Sequence, residues 1–325
     1  MSASGAGPGR GPSEVVTFGE TMALAKADAP GPLAHASALS LGIGGAESNV
    51  AVALRRLGTS VTWIGRIGDD SLGERVVREL RGEGIDVVAV RDGTAPTGLM
   101  IKERRTAEAL KVWYYRSGSA GSRLRPADVP RDLVSGARVL HVTGITPALS
   151  DSAAEATHHA IDCARDAGVL VSFDLNYRAA LWSPHEAGEQ FRRILAKTDI
   201  VFAGDDEAAI AVGPSAEPLE LARRMAAAGP DQVVLKLGAR GCAALIDGTE
   251  YVRPAVPVNV VDTVGAGDAF VGGYLADLLA GAEVSQRLLT ATRVGAFACL
   301  VPGDWEGMPR RSELHLLDPE DPVSR

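Results

Sequence analysis

The segment Val261–Leu279, V-D-T-V-G-A-G-D-A-F-V-G-G-Y-L-A-D-L-L, carries the residues best suited to chemistry. Apolar residues follow Asp268 at the spacing of one helix face, at Phe270, Val271, Tyr274, Leu275, Leu278 and Leu279. Gly265, Ala266 and Gly267 are therefore predicted to lie at the N-terminus of this helix. Unpaired backbone N–H groups and the helix dipole favour an anion there, and small residues let a phosphate approach closely.

Asp268 stands beside the same predicted anion site, an odd choice if phosphate binding were its only task. A carboxylate there can accept the proton of an attacking hydroxyl while a phosphoryl group leaves ATP. From the residues alone, the alternative is that Asp268 caps the helix and the glycines only form a turn. The glycine spacing matches neither G-x-x-x-x-G-K-[ST] nor G-x-G-x-x-G after a strand, which disfavours a P-loop NTPase and a dinucleotide-dependent oxidoreductase.

Composition excludes several other classes of protein. The three cysteines are far apart, and the six histidines include no H-x-x-x-H, so a disulfide scaffold and a zinc site lack support. The net charge of −8 disfavours a general nucleic-acid-binding protein. No stretch approaches the ~20 apolar residues of a membrane span. We expect a cytoplasmic protein with neither nucleic-acid nor membrane partners.

Short β-branched runs alternate with helical patterns along most of the chain. The predicted strands are Val15–Phe18, Val61–Ile64, Arg138–Val142, Val169–Phe173, Ile200–Ala203 and Val233–Leu237. The predicted helices are Asn49–Leu57, Ser71–Leu80 after the cap Asp70, Asp151–Ala167 after Ser150, and Pro184–Ala196. This alternation predicts right-handed βαβ units and an α/β fold with a mostly parallel sheet covered by helices.

Two segments interrupt the alternation, Thr21–Leu41 and Thr97–Tyr115, because they contain strand-like stretches without a helix between them. We expect a small antiparallel flap, a lid of about residues 21–41 and 97–117, on one main domain of residues 14–317. The pair Arg104-Arg105 is expected in a solvated loop of this lid. Residues 1–13, rich in Gly, Pro and Ser, are predicted to be a disordered tail, and 318–325 a loose one.

The run D-T-V-G-A-G-D-A-F at Asp262–Phe270 and the run G-G-A-E-S-N at Gly44–Asn49 resemble the ribokinase-like (PfkB) family of sugar kinases. The resemblance spans about residues 15–317, with both motifs in the family's order. It implies a three-layer α/β domain with a β lid that transfers phosphate from ATP to a sugar hydroxyl, with Mg²⁺. It also implies that Asp268 is the catalytic base and that the backbone amides of Gly265–Gly267 stabilise the developing negative charge.

Four further runs resemble the 2-keto-3-deoxygluconate kinases of this family. They are Y-Y-R-S-G-S-A-G-S (Tyr114–Ser122), T-G-I-T-P-A-L-S (Thr143–Ser150), D-L-N-Y-R-A-A-L-W-S-P (Asp174–Pro184) and G-D-W-E-G (Gly303–Gly307). The guanidinium groups of Arg116 and Arg178 could each form a two-pronged pair with a carboxylate, which agrees with an acidic sugar. The resemblance favours Arg116 for this role, with Tyr114 packing on the sugar chain. A solvated charge is the alternative for Arg116, and a structural salt bridge for Arg178.

The resemblance also implies a sugar pocket. Gly44, Gly45 and Asn49 would lie under the sugar hydroxyls, Asp304 would accept a hydroxyl hydrogen bond, and Ile145 would form an apolar wall. Without the resemblance, a glycine turn, a surface turn and core packing explain these residues about as well.

For the nucleotide, the resemblance implies that Lys236, Gly238 and Gly241 of the run V-V-L-K-L-G-A-R-G lie near phosphate or ribose. A plain β-turn-β link is the alternative. Ligands of such sheets bind beyond the carboxyl ends of the strands, where Asn176 and Arg178 are expected. Arg178 could serve the nucleotide phosphates as readily as the substrate.

The chain departs from the family pattern at three positions. Gly204 replaces the usual Asn of the N-x-x-E motif, although Glu207 keeps the acid and is expected to hold the water shell of Mg²⁺. Thr292 stands where an Asn is common near adenine. Met100 stands where close relatives place a Tyr against the sugar, which could loosen substrate selectivity.

Together these residues predict a kinase for the terminal hydroxyl of a sugar acid, converting 2-keto-3-deoxy-D-gluconate to its 6-phosphate. The alternatives are another sugar kinase of this fold, such as a fructokinase, and a non-catalytic sugar- or nucleotide-binding regulator. The resemblance also implies a monovalent cation near Asp262 and Thr263. Because an exposed β lid could pair with a neighbouring copy, we expect a homo-oligomer, a dimer or larger.

Overall fold

The computed structural model describes residues 12–27, 29–106 and 109–318. The strands are β1 Val15–Phe18, β2 Met22–Lys26, β3 Ser40–Gly44, β4 Val61–Gly68, β5 Asp86–Asp92, β6 Leu99–Arg104, β7 Leu110–Tyr115, β8 Val139–Thr143, β9 Leu170–Asp174, β10 Ile200–Gly204, β11 Gln232–Lys236, β12 Cys242–Ile246 and β13 Thr249–Arg253. The helices are α1 Ala46–Arg56, α2 Ser71–Gly82, α3 Arg131–Ser135, α4 Asp151–Asp166, α5 Pro184–Leu195, α6 Asp205–Val212, α7 Pro218–Ala226, α8 Ala266–Leu279 and α9 Val284–Ala298.

The large sheet has the strand order β13-β12-β11-β10-β9-β8-β1-β4-β5, and all six predicted strands belong to it. Its strands from β11 to β5 pair in parallel, whereas β12 and β13 are antiparallel. Successive side chains of β1 pack into the hydrophobic cores on opposite faces of the sheet. Val15 packs on the side of α1 and α8, and Val16 on the side of α4 and α5. Burying such a side chain contributes about 1.5–3 kcal/mol. The predicted three-layer α/β fold is confirmed.

The predicted starts of three helices are correct because each has a capping side chain. Asp70 accepts a hydrogen bond from the Gly73 N–H at 2.8 Å, and Ser150 accepts one from Ala153 at 3.2 Å. The helix from Pro184 is capped in the same way by the preceding serine. Such a cap contributes about 1 kcal/mol.

Two helices differ from their sequence-based descriptions. The helix predicted as Asn49–Leu57 begins earlier, at Ala46, because the Asn49 N–H already donates to Gly45 O at 2.8 Å and closes the first turn. Helix α8 is buried on nearly all sides, not on one face, since Gly272 packs on α1 and Gly273 on α9. A helix that is apolar all round belongs in a core.

The small sheet has the order β3-β2-β6-β7 and buries Met22, Leu24 and Met100. The expected all-antiparallel flap is wrong for one pair, because β2 and β6 run parallel. The expectation of a solvated loop is also wrong for Arg104, which ends β6 and lies 3.8 Å from the Asp262 carboxylate.

The predicted tails lie mostly outside the described residues, and their innermost residues are ordered. Ser13 accepts a hydrogen bond from the Thr62 hydroxyl at 2.8 Å, and Asp318 pairs with Arg293, so both belong to the folded part. Residues 1–11 and 319–325 lie outside the description. Within the described ranges, no helix is both long and apolar enough to span a membrane.

Candidate active site

Asp268 is the third residue of α8, and its carboxylate joins three parts of the chain. The Asn49 amide of α1 donates to Oδ2 at 2.8 Å, and the Asn176 amide, just beyond β9, donates to Oδ1 at 3.4 Å. Gly265 occupies the N-cap position in the left-handed conformation, with φ 75°. The capping position is therefore filled by Gly265, and the Asp268 carboxylate faces the ends of the parallel strands.

Burial raises the pKa of Asp268 to about 7. The hydrogen bond from Asn49 opposes this shift, and the nearby Asp174 carboxylate adds to it. The positive charges of Lys236 and Arg178 lower the pKa. A carboxyl group whose pKa lies near neutral pH suits a general base, because it is ionised yet basic enough to take a proton.

Two glycine turns pack against Asp304. A Cβ on Gly265 would collide with the backbone oxygen of Asp304, and a Cβ on Gly44 would collide with its carboxylate and with the Met100 methyl group. Gly45 then forms the N-cap of α1. The runs G-A-G-D, G-G-A-E-S-N and G-D-W-E-G therefore meet around one buried side chain.

Lys236 lies at the end of β11 and forms a partly buried ion pair with the buried Asp174 at the end of β9, with Nζ–O distances of 2.7 and 2.6 Å. Burial disfavours the ammonium charge, but the carboxylates of Asp174 and Glu207 outweigh it and raise the pKa of Lys236. A Cβ on Gly267 would lie 3.5 Å from Nζ, so the ammonium sits beside the start of α8. A fixed positive charge and the helix N-terminus thus face the same space.

The Glu207 carboxylate accepts hydrogen bonds from two backbone N–H groups near it. Its Oε1 accepts the Tyr177 N–H at 3.0 Å and its Oε2 accepts the Gly204 N–H at 2.7 Å. The exposed Arg178 guanidinium lies beside this loop and donates to Tyr177 O at 3.1 Å. Asn176 itself has φ 39°, a left-handed conformation that is uncommon outside glycine. In the described part of the chain, no cluster of three or more His, Cys, Asp or Glu side chains could hold a metal ion.

Arg116 follows β7 and is paired with Glu20, a buried residue that the sequence did not single out. Its Nε and Nη2 lie 2.8 and 2.6 Å from Glu20 Oε2, and Ser119 donates to the other oxygen. The guanidinium lies 5.8 Å from the ring centre of Tyr114, a half-exposed residue. Arg116 is therefore held in one orientation, not solvated as a free charge.

Glu47, in the first turn of α1, is a second buried acid that sequence reasoning missed. Its Oε1 accepts the hydroxyls of Thr143 and Thr146 at 2.6 and 2.7 Å, which ties α1 to the end of β8. Burial raises the pKa of Glu47. Ile145, between the two threonines, is buried at the same edge of the sheet.

The remaining predicted residues lie on separate elements. Gly238 and Gly241 bound the turn between β11 and β12, both with positive φ. The Thr292 hydroxyl donates to Leu288 O and Leu289 O of its own helix, at 3.0 and 2.9 Å. Among the missed residues, Asp174 and Glu47 stood inside quoted motifs, whereas Glu20 had no local pattern to reveal it.

Comparisons with known proteins identify the family of the chain. Residues 12–311 match the model of the pfkB family of carbohydrate kinases. The chain is 38% identical to 2-dehydro-3-deoxygluconokinase of Bacillus subtilis, over 93% of this chain and 94% of that protein. It is 35% identical to 2-dehydro-3-deoxygalactonokinase of Haloferax volcanii, over 90% and 92%.

A solved fructokinase of Xylella fastidiosa with bound ATP has a similar structure, with a TM-score of 0.81 and 26% identity over 94% of this chain and 98% of that chain. The match to the family model and the identities to curated kinases both extend over most of the chain. The chain therefore belongs to the pfkB family of carbohydrate kinases, enzymes that transfer phosphate to a sugar hydroxyl.

Proposed function

We propose that this kinase transfers the terminal phosphoryl group of ATP to the terminal hydroxyl of 2-keto-3-deoxy-D-gluconate and forms the 6-phosphate. One observation carries the proposal: a buried carboxylate, Asp268, is held by Asn49 and Asn176 beside a helix N-terminus. The similarity to sugar-acid kinases supports the choice of substrate.

Asp268 draws the proton from the sugar hydroxyl as the hydroxyl oxygen attacks. The backbone amides of Gly265 and Gly267 donate to the phosphoryl oxygens, whose negative charge is stabilised by the N-terminus of α8. The Ala266 N–H, predicted to share this role, already donates to Thr263 O at 3.3 Å. The Asn49 Oδ1 atom is buried and has no hydrogen-bond partner among the residues described, so it is suited to accept a hydrogen bond from the sugar.

On the nucleotide side, Lys236, Asn176 and Arg178 supply positive charge and hydrogen-bond donors to the phosphates, and the turn from Gly238 to Gly241 gives room for ribose. Glu207 fits Mg²⁺ through water, because each oxygen accepts one backbone N–H and retains lone pairs. When bound, Mg²⁺ neutralises charge on the phosphates.

On the sugar side, Arg116 binds the substrate carboxylate while Glu20 holds its orientation, and Tyr114 packs against the sugar chain. Gly44 and Gly45 lie under the sugar, and they must be glycine because the protein itself fills the space that a Cβ would need there. Asp304 accepts a hydroxyl hydrogen bond, and Ile145 forms the apolar wall. Met100, buried against Gly44, takes the place of a ring on this side.

A coupled assay of ADP release tests the proposal. Purified protein is offered 2-keto-3-deoxygluconate, its galactonate epimer and fructose, each at several concentrations. We expect the highest kcat/KM with a keto-deoxy sugar acid. A preference for fructose would favour the fructokinase alternative, and no turnover with intact ATP binding would favour a non-catalytic regulator.

Three finer points belong to the same proposal. The small sheet acts as a lid over the sugar. Its exposed edge residues Trp113 and Tyr115 support a homodimer through this sheet. Light scattering tests the oligomeric state. A monovalent cation near Asp262 and Thr263 is tested by replacing K⁺ with a large organic cation. The three cysteines are free thiols, in keeping with a cytoplasmic protein.

A further inference from the structure

Two lysines lie side by side on the small sheet, Lys26 on β2 and Lys102 on β6, as register partners. Each reaches a carboxylate in the loop after α9. Lys26 lies 3.0 Å from Glu306, with side chains 28% and 33% exposed, and Lys102 pairs with Asp304, with side chains 5% and 7% exposed. The partly exposed Lys26–Glu306 pair contributes less than a buried one, because water screens it, whereas breaking a buried pair strands a charge.

Asp304 lies between the small sheet and the two glycine turns. One carboxylate oxygen is paired with Lys102, and the other lies against Gly44, on the sugar side of the pocket. Burial raises the pKa of Asp304, and the Lys102 ammonium opposes this shift. An ionised carboxylate only accepts hydrogen bonds, whereas a protonated one also donates, so the charge on Asp304 decides how it meets a hydroxyl.

We propose that Lys102 is a positioning residue that holds Asp304 oriented and charged as a hydroxyl acceptor in the sugar pocket. This inference rests on the proposed function and deepens it. Lys102 belongs to the small sheet and Asp304 to the loop beside α8. When the small sheet closes over the sugar, their pair therefore holds the Asp304 carboxylate charged and oriented for the sugar hydroxyl. The effect of Lys102 should therefore appear in sugar binding and not in ATP binding.

Three variants test this role. Lys102→Met removes the charge at similar length, Lys102→Arg keeps the charge, and Lys26→Met is the matched control on the neighbouring strand. We expect Lys102→Met to raise KM for the sugar about tenfold or more, with KM for ATP unchanged. Without the ammonium, Asp304 becomes neutral, and the sugar hydroxyl then loses its hydrogen bond to a charged acceptor. Lys102→Arg should recover most of this loss, and Lys26→Met should stay within about twofold of wild type.

A double-mutant cycle separates positioning from direct contact. In an Asp304→Asn background, Lys102→Met should change the sugar KM by less than about twofold, because its partner is already neutral. A large further loss there, or equal KM values for Lys102→Met and Lys26→Met, would overturn the proposal. The double variant contains no stranded charge, whereas Asp304→Asn alone leaves the buried Lys102 ammonium unpaired. Urea unfolding of both variants therefore accompanies the kinetics, and Lys102→Arg, which keeps the pair, supplies the comparison with wild type if either variant unfolds.

The wild-type measurement keeps the two claims apart. Absence of turnover with every sugar acid would reject the proposed function. Wild-type turnover combined with an unchanged Lys102→Met variant would reject only the positioning role.

Discussion

The amide of Asn49 donates a 2.8 Å hydrogen bond to the carboxylate of Asp268, although the two residues are 219 positions apart. This contact joins the first turn of α1 to the first turn of α8. It fixes the rotamer of the proposed base, and Asn49 Oδ1 is left buried without a hydrogen-bond partner among the described residues. The arrangement resembles other bases that are oriented by a neighbouring hydrogen bond.

Activity should depend on pH through Asp268. The carboxyl has a pKa of about 7 because it is buried, and only its ionised form accepts a proton. We expect kcat/KM to fall about tenfold for each pH unit below this value. Initial rates from acidic to mildly alkaline pH at low sugar concentration measure it, and a flat profile down to the ordinary range of a carboxyl group would contradict it.

The free energy of unfolding should change with pH in the opposite direction to activity: it should fall as pH rises. The carboxyl titrates near 3.8 when unfolded and at about 7 when folded, so between these values the folded state binds the extra proton. The resulting stabilisation is complete below about pH 4 and is lost as pH rises through 7. Relative to Asp268→Asn, wild type should lose on the order of 4 kcal/mol over this range. Urea unfolding of both proteins at each pH measures the difference, which would stay constant if Asp268 were hydrated.

The two glycines before Asp268 should respond differently to alanine. Gly265→Ala forces a left-handed residue, at about 1–2 kcal/mol, and adds a collision with Asp304, so both Tm and activity should fall. Gly267→Ala has room and favours the helix by about 0.5–1 kcal/mol, so Tm should hold or rise.

Activity of Gly267→Ala should nevertheless fall, because its methyl group faces the Lys236 ammonium and the proposed phosphate position. Full activity in this stable variant would show that phosphate does not approach the amide of Gly267. Thermal unfolding and ADP release on the same samples provide both readings.

Arg116→Ala should weaken the binding of a sugar acid more than the binding of a neutral sugar. The loss of a two-pronged ion pair should raise KM for the sugar acid about tenfold more than KM for fructose. Because the single variant leaves Glu20 buried and unpaired, the Glu20→Gln/Arg116→Ala double variant is the control for misfolding. An equal rise in KM for both substrates would show that Arg116 does not bind the substrate carboxylate.

Much of the fold was predictable because its determinants are local. The apolar run Val15–Phe18 reads as a strand buried on both faces, and caps such as Asp70 and Ser150 mark helix starts within three residues. The parallel pairing of β2 with β6 was not predictable in this way, because it depends on how distant segments return to the small sheet.

The proposed base was visible because glycines beside an acid at a helix start form a local pattern. The partners of the charged residues were not visible. Glu20 lies 96 residues from Arg116 and Asp174 lies 62 from Lys236, and no local spacing records which charges meet once the chain folds. Burial then decides their pKa values, and burial is a property of the whole fold.

Single-turnover phosphoryl transfer by Asp268→Asn provides the most direct test of Asp268 as the base. With 2-keto-3-deoxygluconate and saturating ATP, the variant should react about 10²–10⁴ times more slowly than wild type, while its Kd for ATP is unchanged. A rate within about threefold of wild type would contradict the role of Asp268, since a general base contributes at least about a hundredfold.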